Sequence, residues 1–160
     1  MAKEYGSTSK GPYNSAMNSK KGRSLTQPIS DLTQLLRSME PELQEGVYVF
    51  VQLPRGTREW SVEPLATFRE KEGASAILRA EDALYLNLTP LFHAAWITLT
   101  VTSDLQAVGL TAAVAAALTE RGISCNVVAA ACHDHLFVPV DRADEAMAAL
   151  RELSRTTAAR

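Results

Sequence analysis

The clearest hydrophobic pattern lies in the second half of the chain, where five consecutive elements are predicted. Residues 96–102 alternate between apolar and other side chains, which predicts a half-buried strand. A helix is expected from about Leu105 to Arg121, because apolar residues recur there every three or four positions. Two further strands are expected at 124–131 and 135–140, followed by a last helix that Asp141 caps.

This order of elements matches five of the six in a ferredoxin-like β-α-β-β-α-β unit. The sixth strand is missing, because residues 154–160 are polar and indicate a tail. An open sheet edge needs a partner, so we expect the first half of the chain to lend a strand, and the run Val47–Leu53 offers one. The predicted fold class is α+β, with two interlocked ferredoxin-like halves, antiparallel sheets and helices on one face.

The first half shows a weaker pattern. A helix is expected after Pro28, with Ser30 as its N-cap and an apolar stripe from Leu32 to Met39. A short helix is expected at Pro64–Glu72, because a proline stands near its first turn and a glycine follows it. The remaining elements are a short strand at 75–79 and a segment of ambiguous type at 81–93.

The first 28 residues differ from the rest, since they are rich in Ser, Gly, Lys and Asn and lack periodic apolar positions. Their five basic residues against one acidic give a charge of +4, which leaves −6 on the remaining chain. Such a segment is expected to be a disordered, solvated tail. The chain therefore divides into a tail at 1–28, an N-terminal half at 29–95, a C-terminal domain at 96–153 and a polar tail at 154–160.

Composition narrows the function classes. The 160 residues are 46% hydrophobic and 21% charged, and the net charge is −2, which gives no reason to expect a nucleic acid or a membrane surface as partner. The longest apolar run is far shorter than the roughly 20 residues that a bilayer requires. Two cysteines do not make a disulfide framework, so we expect a reducing compartment and a cytoplasmic location.

Motifs of catalytic chemistry are missing from the sequence. It contains no GxSxG, HExxH, P-loop or GxGxxG string, so we expect no enzyme activity and no cofactor. The run Cys132–His135 suggests a metal, but no second pair of ligands stands at the usual spacing, and we predict no metal site. Cys125 lies in a predicted strand and is interpreted as a small buried hydrophobic residue.

Several strings of the chain resemble one known family. They are Trp96–Val101, Leu105–Ala112, Gly122–Ala129 and His133–Pro139, with Gly46–Phe50 and Pro64–Gly73 in the first half. From Ile29 to Leu153 the chain resembles the tandem ACT-domain proteins, a small-molecule-binding family that is similar to the ACT halves of the CASTOR arginine sensors. ACT domains have the ferredoxin-like topology, in agreement with the pattern above.

The resemblance implies a non-catalytic regulatory module that binds a small ligand, usually an amino acid, at the seam between two ACT units. The seam lies within one chain or across a homodimer. The residues that the resemblance assigns to the ligand are Ser103, Asp104, Leu105, Val108, Gly109, Leu110, Asn126, His133 and Asp134. In the arginine sensors, an acidic residue at the place of Asp134 meets a cationic part of the ligand.

The residues themselves leave other interpretations open. Ser103 and Asp104 are equally compatible with a helix cap, Gly109 with a site of close helix packing, and Asp134 with a turn in its hairpin. The alternative function is a protein-interaction or dimerisation module without a physiological small ligand. It is motivated by the missing last strand and by the alanines on a second side of the predicted helix at 105–121.

Overall fold

The computed structural model describes residues 28–54 and 61–159, so the predicted tail lies, except for its last residue, outside the described residues. Within them the chain forms seven strands and four α-helices. In chain order they are α1 (Leu32–Ser38), β1 (Pro41–Leu43), β2 (Tyr48–Gln52), β3 (Ala66–Arg69), β4 (Ala74–Arg79), α2 (Ala80–Tyr85), β5 (Pro90–Leu99), α3 (Leu110–Thr119), β6 (Asn126–Ala129), β7 (Asp134–Pro139) and α4 (Ala143–Ala158). No helix among them is long and apolar enough to cross a bilayer.

All seven strands join one antiparallel sheet in the order β3-β4-β2-β5-β7-β6, and β1 also pairs with β5. The first part of β5 pairs with β2, and its last six residues, 94–99, pair with β7. Ala94 stands at the junction, because its partners are Tyr48 on one side and Pro139 on the other. Strand β5 therefore belongs to two structural units at once.

Each unit has the strand order of a ferredoxin-like fold. The first unit consists of β2, β3, β4, α2 and the start of β5. The second unit consists of the end of β5, then α3, β6, β7 and α4, and β1 lies beside β5 in the place of the sixth strand. These findings confirm the predicted α+β fold class of two interlocked halves with antiparallel strands.

The first half of the chain contributes β1 to the sheet of the second unit. The expectation that Val47–Leu53 has this role was wrong. That run instead forms β2, which pairs with β4 and β5 in the first unit. Strand β1 has only three residues, Pro41–Leu43, and begins with a proline, so it carries no alternating pattern that a sequence analysis detects.

Helix α1 precedes the first unit in sequence but packs in the second. Its N-cap is Asp31, whose side chain accepts a hydrogen bond of 2.8 Å from the backbone N–H of Gln34, and not Ser30 as expected. The apolar stripe is buried as predicted: Leu35, Leu36 and Met39 join the core formed with α3, α4, β5 and β7. Together α1 and β1 thus complete the second unit.

The two faces of the sheet differ. On one face, helices cover a core that contains Ile97, Leu136 and Val138 in the second unit, and a smaller core under α2 in the first. The other face carries an aromatic cluster with Tyr48, Phe137 and Trp96 among its members. All four α-helices of the described residues contribute to the first face, as the fold class implied.

Three helix predictions need correction. The segment Pro64–Glu72 contains strand β3 and no helix, because residues 66–69 pair with β4 through a tight turn in which the N–H of Glu70 donates to the carbonyl of Gly73. Helix α3 begins at Leu110, five residues later than expected. Asp141 lies in a single 3-10 turn and caps nothing, and α4 continues past Leu153 to Ala158. The ambiguous segment 81–93 holds most of α2 and the start of β5.

We predict that Leu35→Ala lowers the free energy of unfolding by about 2–5 kcal/mol, because it leaves a cavity in the core of the second unit. Leu35 is fully buried, whereas Leu84 on α2 is 78% exposed, so Leu84→Ala is a matched control that changes stability little. Urea denaturation followed by circular dichroism measures both variants. Equal effects would show that α1 does not belong to this core.

Candidate functional site

The candidate site lies where β5 ends and β7 begins. Asp134 is the first residue of β7 and the register partner of Leu99, the last residue of β5. The loop after β5 brings Ser103 back to this point, and Ser103 Oγ donates a hydrogen bond of 3.1 Å to Asp134 Oδ2. The structure thus brings two of the predicted ligand residues into direct contact.

The charge at this site is negative. Asp134 is only 7% exposed, and Asp104, on the same loop as Ser103, is half-buried. Among the described residues, no Lys or Arg forms an ion pair with either carboxylate. A carboxylate accepts up to about four hydrogen bonds, and a buried one is costly unless cations or donors surround it. The site is therefore suited to a cationic group.

The loop is ordered by hydrogen bonds of its own. Asp104 Oδ1 accepts from the N–H of Gln106 at 2.9 Å, and the Asp104 carbonyl accepts from the N–H of Ala107 at 2.8 Å. This is a local turn of the Asx type, and it replaces the helix cap that was one of the open interpretations of Asp104. The carboxylate of Asp104 thus has a fixed position at the start of the loop.

The segment that precedes α1 forms the other side of the loop. Ile29 bridges to Ser103 in parallel, its N–H donates to the carbonyl of Thr102, and its carbonyl accepts from the N–H of Asp104, both at 3.0 Å. This contact was not predicted, since a single backbone bridge leaves no pattern of residue types in the sequence. Ile29 and Ser103 are far apart in sequence, and only the placement of α1 brings them together.

Helix α3 begins at the far end of the loop. Gly109 is its N-cap with φ of +107°, and no side chain caps the first turn. A Cβ at Gly109 would lie 2.8 Å from Leu32 Cδ2, which supports the interpretation of Gly109 as a close-packing position against α1. The N–H groups of the first turn of α3 lack a side-chain acceptor, and such groups favour anions.

Some of the other predicted ligand residues lie at this site, and others do not. His133 adjoins the site, with its Nδ1 atom 3.4 Å from the carbonyl of Val101, and Leu110 is buried in the core. Leu105 and Val108 point their apolar side chains to the surface and are 66% and 84% exposed. Asn126 is not brought to the site. It starts β6 opposite Phe137, whereas Asp134 pairs with Ala129 at the other end of β6, roughly 10 Å away.

His135, directly after Asp134, lies in a network on the aromatic face. Trp96 Nε1 donates to His135 Nδ1 at 3.0 Å, and Thr98 Oγ1 lies 3.2 Å from the same nitrogen. The bond from Trp96 requires an unprotonated Nδ1. Burial lowers the pKa of His135 below 6.5, the nearby His133 lowers it further, and Asp134 opposes both. The neutral ring is thus the form that fits the network.

The cysteine and histidine residues were considered above as nucleophile and metal ligands. Burial raises the pKa of the Cys125 thiol from 9.0 to about 11, so it stays protonated at neutral pH and is a poor nucleophile. Cys125 packs against the core of the second unit, in agreement with its interpretation as a hydrophobic residue. Within the described ranges, no three His, Cys, Asp or Glu side chains are placed to hold a metal ion.

Two family models match the chain, and both describe an ACT domain. One matches residues 27–95 and the other matches residues 92–152. Their overlap falls within β5, the strand that the two structural units share. None of the curated proteins matches the chain.

Solved structures are similar over most of the described residues. A protein of unknown function from Vibrio cholerae, named a possible transport protein, is 48% identical, covers 77% of this chain and 95% of its own, and has a TM-score of 0.70. The ligand-free regulatory subunit of aspartate kinase from Thermus thermophilus is 8% identical over 71% of this chain and 95% of its own, with a TM-score of 0.53. An Agrobacterium tumefaciens protein is 15% identical over 72% and 89%, with a TM-score of 0.55. The latter two show a common fold.

We predict that Gly109→Ala lowers the free energy of unfolding by about 1–3 kcal/mol, because an L-residue is strained at φ of +107° and its Cβ would meet Leu32. Gly122→Ala is the matched control, since Gly122 has φ of +64° and no atom within 4 Å of the added Cβ. Its cost is about 1–2 kcal/mol. Thermal unfolding of both variants measures the difference, and a smaller loss for Gly109→Ala would contradict the packing described here.

A second prediction concerns pH. The pKa of folded His135 is lowered, so the unfolded chain binds more protons as the pH falls below 6.5. The stability contributed by neutral His135 is therefore complete above that value and is lost on acidification. His135→Asn keeps an acceptor near the Nδ1 position but does not titrate, so its unfolding midpoint should fall less than that of the unmodified chain between about pH 7.5 and pH 5.5. Parallel slopes for the two proteins would refute this assignment.

Proposed function

The chain belongs to the ACT-domain family, with two ACT domains in tandem, and we propose that it is a non-catalytic regulatory module that binds an amino acid at the Ser103–Asp134 site. ACT domains are typically regulatory modules for small ligands. The ligand class, the residues that bind the ligand and the position of the site at a seam between two ACT units are all parts of this proposal. We also propose that the protein acts in the cytoplasm, as its two unpaired cysteines suggest.

The observation that carries the proposal is the buried carboxylate of Asp134. It is held by a single hydroxyl, that of Ser103, at the end of a loop with a second carboxylate and without a basic partner among the described residues. A structural role alone would be served as well by a neutral side chain, since burial of a charge is costly. A cationic group of a ligand would stabilise this charge.

The geometry suggests an orientation for the ligand. Asp134 and Asp104 face the cationic part, which is the ammonium group or a basic side chain. The first turn of α3, which begins at Leu110 without a side-chain cap, suits the carboxylate of the ligand. His133 lies beside Asp134 and is proposed to contact the ligand through its ring.

In this proposal, a second copy of the chain forms the other side of the seam in which the ligand binds. Leu105 and Val108 expose large apolar surfaces on the loop, and a partner ACT unit would cover both them and the ligand. The dimerisation module without a ligand was motivated in part by an unpaired edge in the second unit. Strand β1 fills that edge, so this motive is removed. Asn126, which lies away from the loop, keeps a place in the proposal only as a contact made by the partner copy.

Thermal unfolding in the presence of each of the twenty amino acids at millimolar concentration tests the proposal. A ligand that binds the folded state raises the unfolding midpoint by mass action. We expect a shift with an amino acid, the basic ones foremost, and we expect Asp134→Asn to weaken binding at least about tenfold, because a charge-assisted hydrogen bond is lost. Asparagine retains the shape of the side chain and an acceptor for Ser103.

The matched control is Asp141→Asn, which removes one exposed carboxylate from the 3-10 turn before α4. It should leave ligand binding unchanged. The proposal fails if no amino acid shifts the midpoint of the well-folded protein, or if Asp134→Asn and Asp141→Asn bind the ligand equally well.

A further inference from the structure

A groove on the helical face of the second unit runs between α4 and the connection from α1 to β1, with a volume of about 620 Å³. Clefts of this volume accommodate small molecules. Residues 39–41 form one wall. The other wall belongs to α4 and carries Ala148, Arg151, Ser154 and Arg155. Neither Ser103 nor Asp134 lines this space, which we call the α4 groove.

Both walls of the α4 groove are fixed by the core of the second unit. Met39 is only 1% exposed, and the carbonyl of Glu40 accepts from both the N–H and the hydroxyl of Thr100 at 3.0 Å. Pro41 continues this wall as the register partner of Leu99. The opposite wall is anchored by the buried residues of α4, which are Ala146, Met147, Ala149 and Leu150. The groove is therefore formed before a ligand binds.

Two arginines face the groove from consecutive turns of α4. Arg155 Nε donates to the carbonyl of Arg151 at 3.3 Å, which holds the guanidinium of Arg155 beside the turn that carries Arg151. Among the described residues neither arginine forms an ion pair, and Glu152, their acidic neighbour on α4, is paired with Arg121. Like charges at this spacing destabilise a helix. An anion between the two guanidinium groups would remove the repulsion.

The helix dipole does not account for both arginines. Cations stabilise the carboxyl end of a helix only within its last turn. Arg37 already serves this end of α4, because its Nε donates to the carbonyl of Thr157 at 3.1 Å, and Arg155 lies in the last turn as well. Arg151 stands a full turn earlier. Its exposed guanidinium is therefore available to a ligand in the groove.

The donors on α4 match a phosphate group. A guanidinium presents a planar fork of N–H groups that meets two phosphate oxygens at once. Two guanidinium groups balance the charge of about −2 that a phosphate monoester carries at neutral pH. The hydroxyl of half-buried Ser154, three residues after Arg151, adds a neutral donor to the same wall. This wall is therefore suited to an anion with several acceptor oxygens.

Glu40 determines what else the ligand contains. Its residue is exposed and lines the opposite wall, and among the described residues its carboxylate forms no ion pair with a Lys or Arg. A carboxylate only accepts hydrogen bonds, so it repels a bare anion and binds a group that carries hydroxyls. Met39 and Pro41, on the same wall, offer apolar surface to the carbon atoms of a ring. Phosphate, hydroxyls and a carbon ring occur together in a phosphorylated sugar.

We propose that the α4 groove binds a phosphorylated sugar, either free or as part of a nucleotide. Arg151, Ser154 and Arg155 hold the phosphate. Glu40 accepts hydrogen bonds from the sugar hydroxyls, and the ring lies against Met39 and Pro41. The groove differs from the Ser103–Asp134 site in position and in charge, so this inference does not depend on the function proposed there.

Isothermal titration calorimetry of the full chain at low ionic strength tests the proposal, with ribose 5-phosphate and AMP as probes. Ribose lacks the anion and inorganic phosphate lacks the hydroxyls, so each should bind at least about tenfold more weakly than ribose 5-phosphate. Tighter binding of AMP than of ribose 5-phosphate assigns the groove to a nucleotide, and weaker binding of AMP assigns it to a free sugar phosphate. The proposal is overturned if neither probe binds at millimolar concentration, or if inorganic phosphate binds as tightly as ribose 5-phosphate.

Variants of exposed arginines locate the site. Arg151→Gln and Arg155→Gln should each weaken the binding of ribose 5-phosphate at least about tenfold, because charge-assisted hydrogen bonds are lost. The matched control is Arg69→Gln, on β3, which removes an exposed arginine that lies outside the groove. It should bind like the unmodified chain. Unchanged binding in both groove variants, or an equal loss in all three variants, would overturn the proposal.

Two further variants test the remaining parts of the assignment. Glu40→Gln should reduce the preference for ribose 5-phosphate over inorganic phosphate, because the bare anion is no longer repelled. An unchanged preference would overturn the role given to Glu40. Asp134→Asn should leave the binding of ribose 5-phosphate unchanged, since Asp134 does not line the groove. Loss of binding in this variant would place the phosphorylated sugar at the Ser103–Asp134 site and overturn the inference.

Discussion

The whole structure depends on backbone pairing along one strand, β5. Its ten residues carry β2 and β1 along one edge and β7 along the other, so a single strand belongs to the sheets of both units. Its last residue, Leu99, fixes the position of Asp134 by register, and Trp96 near its middle donates a hydrogen bond to His135 on the aromatic face. Because backbone hydrogen bonds set these positions, the candidate site and the aromatic face share one rigid support.

The elements that were predicted correctly are those with strong local patterns. The alternation before Leu99 and the helical spacing of Leu110, Val114 and Leu118 reflect burial on one face, which the residue types record directly. Strand β1 and the bridge at Ile29 are different, because each is made by backbone atoms of a few residues with distant partners. No local pattern encodes such pairing. The segment 64–72 was mistaken for a helix since its pairing with β4 overrides its local preference.

The candidate site was also predicted only in part, because some of its geometry depends on the pairing of strands. The resemblance named the loop and Asp134, and the structure brings Ser103, Asp104, His133 and Asp134 to one place. Asn126 is separated from them by the register of β6 and β7, which residue types alone do not specify. The contact between Tyr48 and Trp96 was not predicted either, because the shared strand β5 brings these two rings together.

The placement of α1 and β1 has a consequence for biosynthesis. Both elements are made before the first unit, whereas their packing partner α4 is made after it, and the hydrogen bond from Arg37 to the carbonyl of Thr157 joins residues 120 positions apart. The first unit is enclosed in the sequence between the parts of the second. The nascent chain therefore carries an apolar helix without its packing partner until α4 has been made. During this period a chaperone has a surface to bind, and closure of so long a loop slows folding.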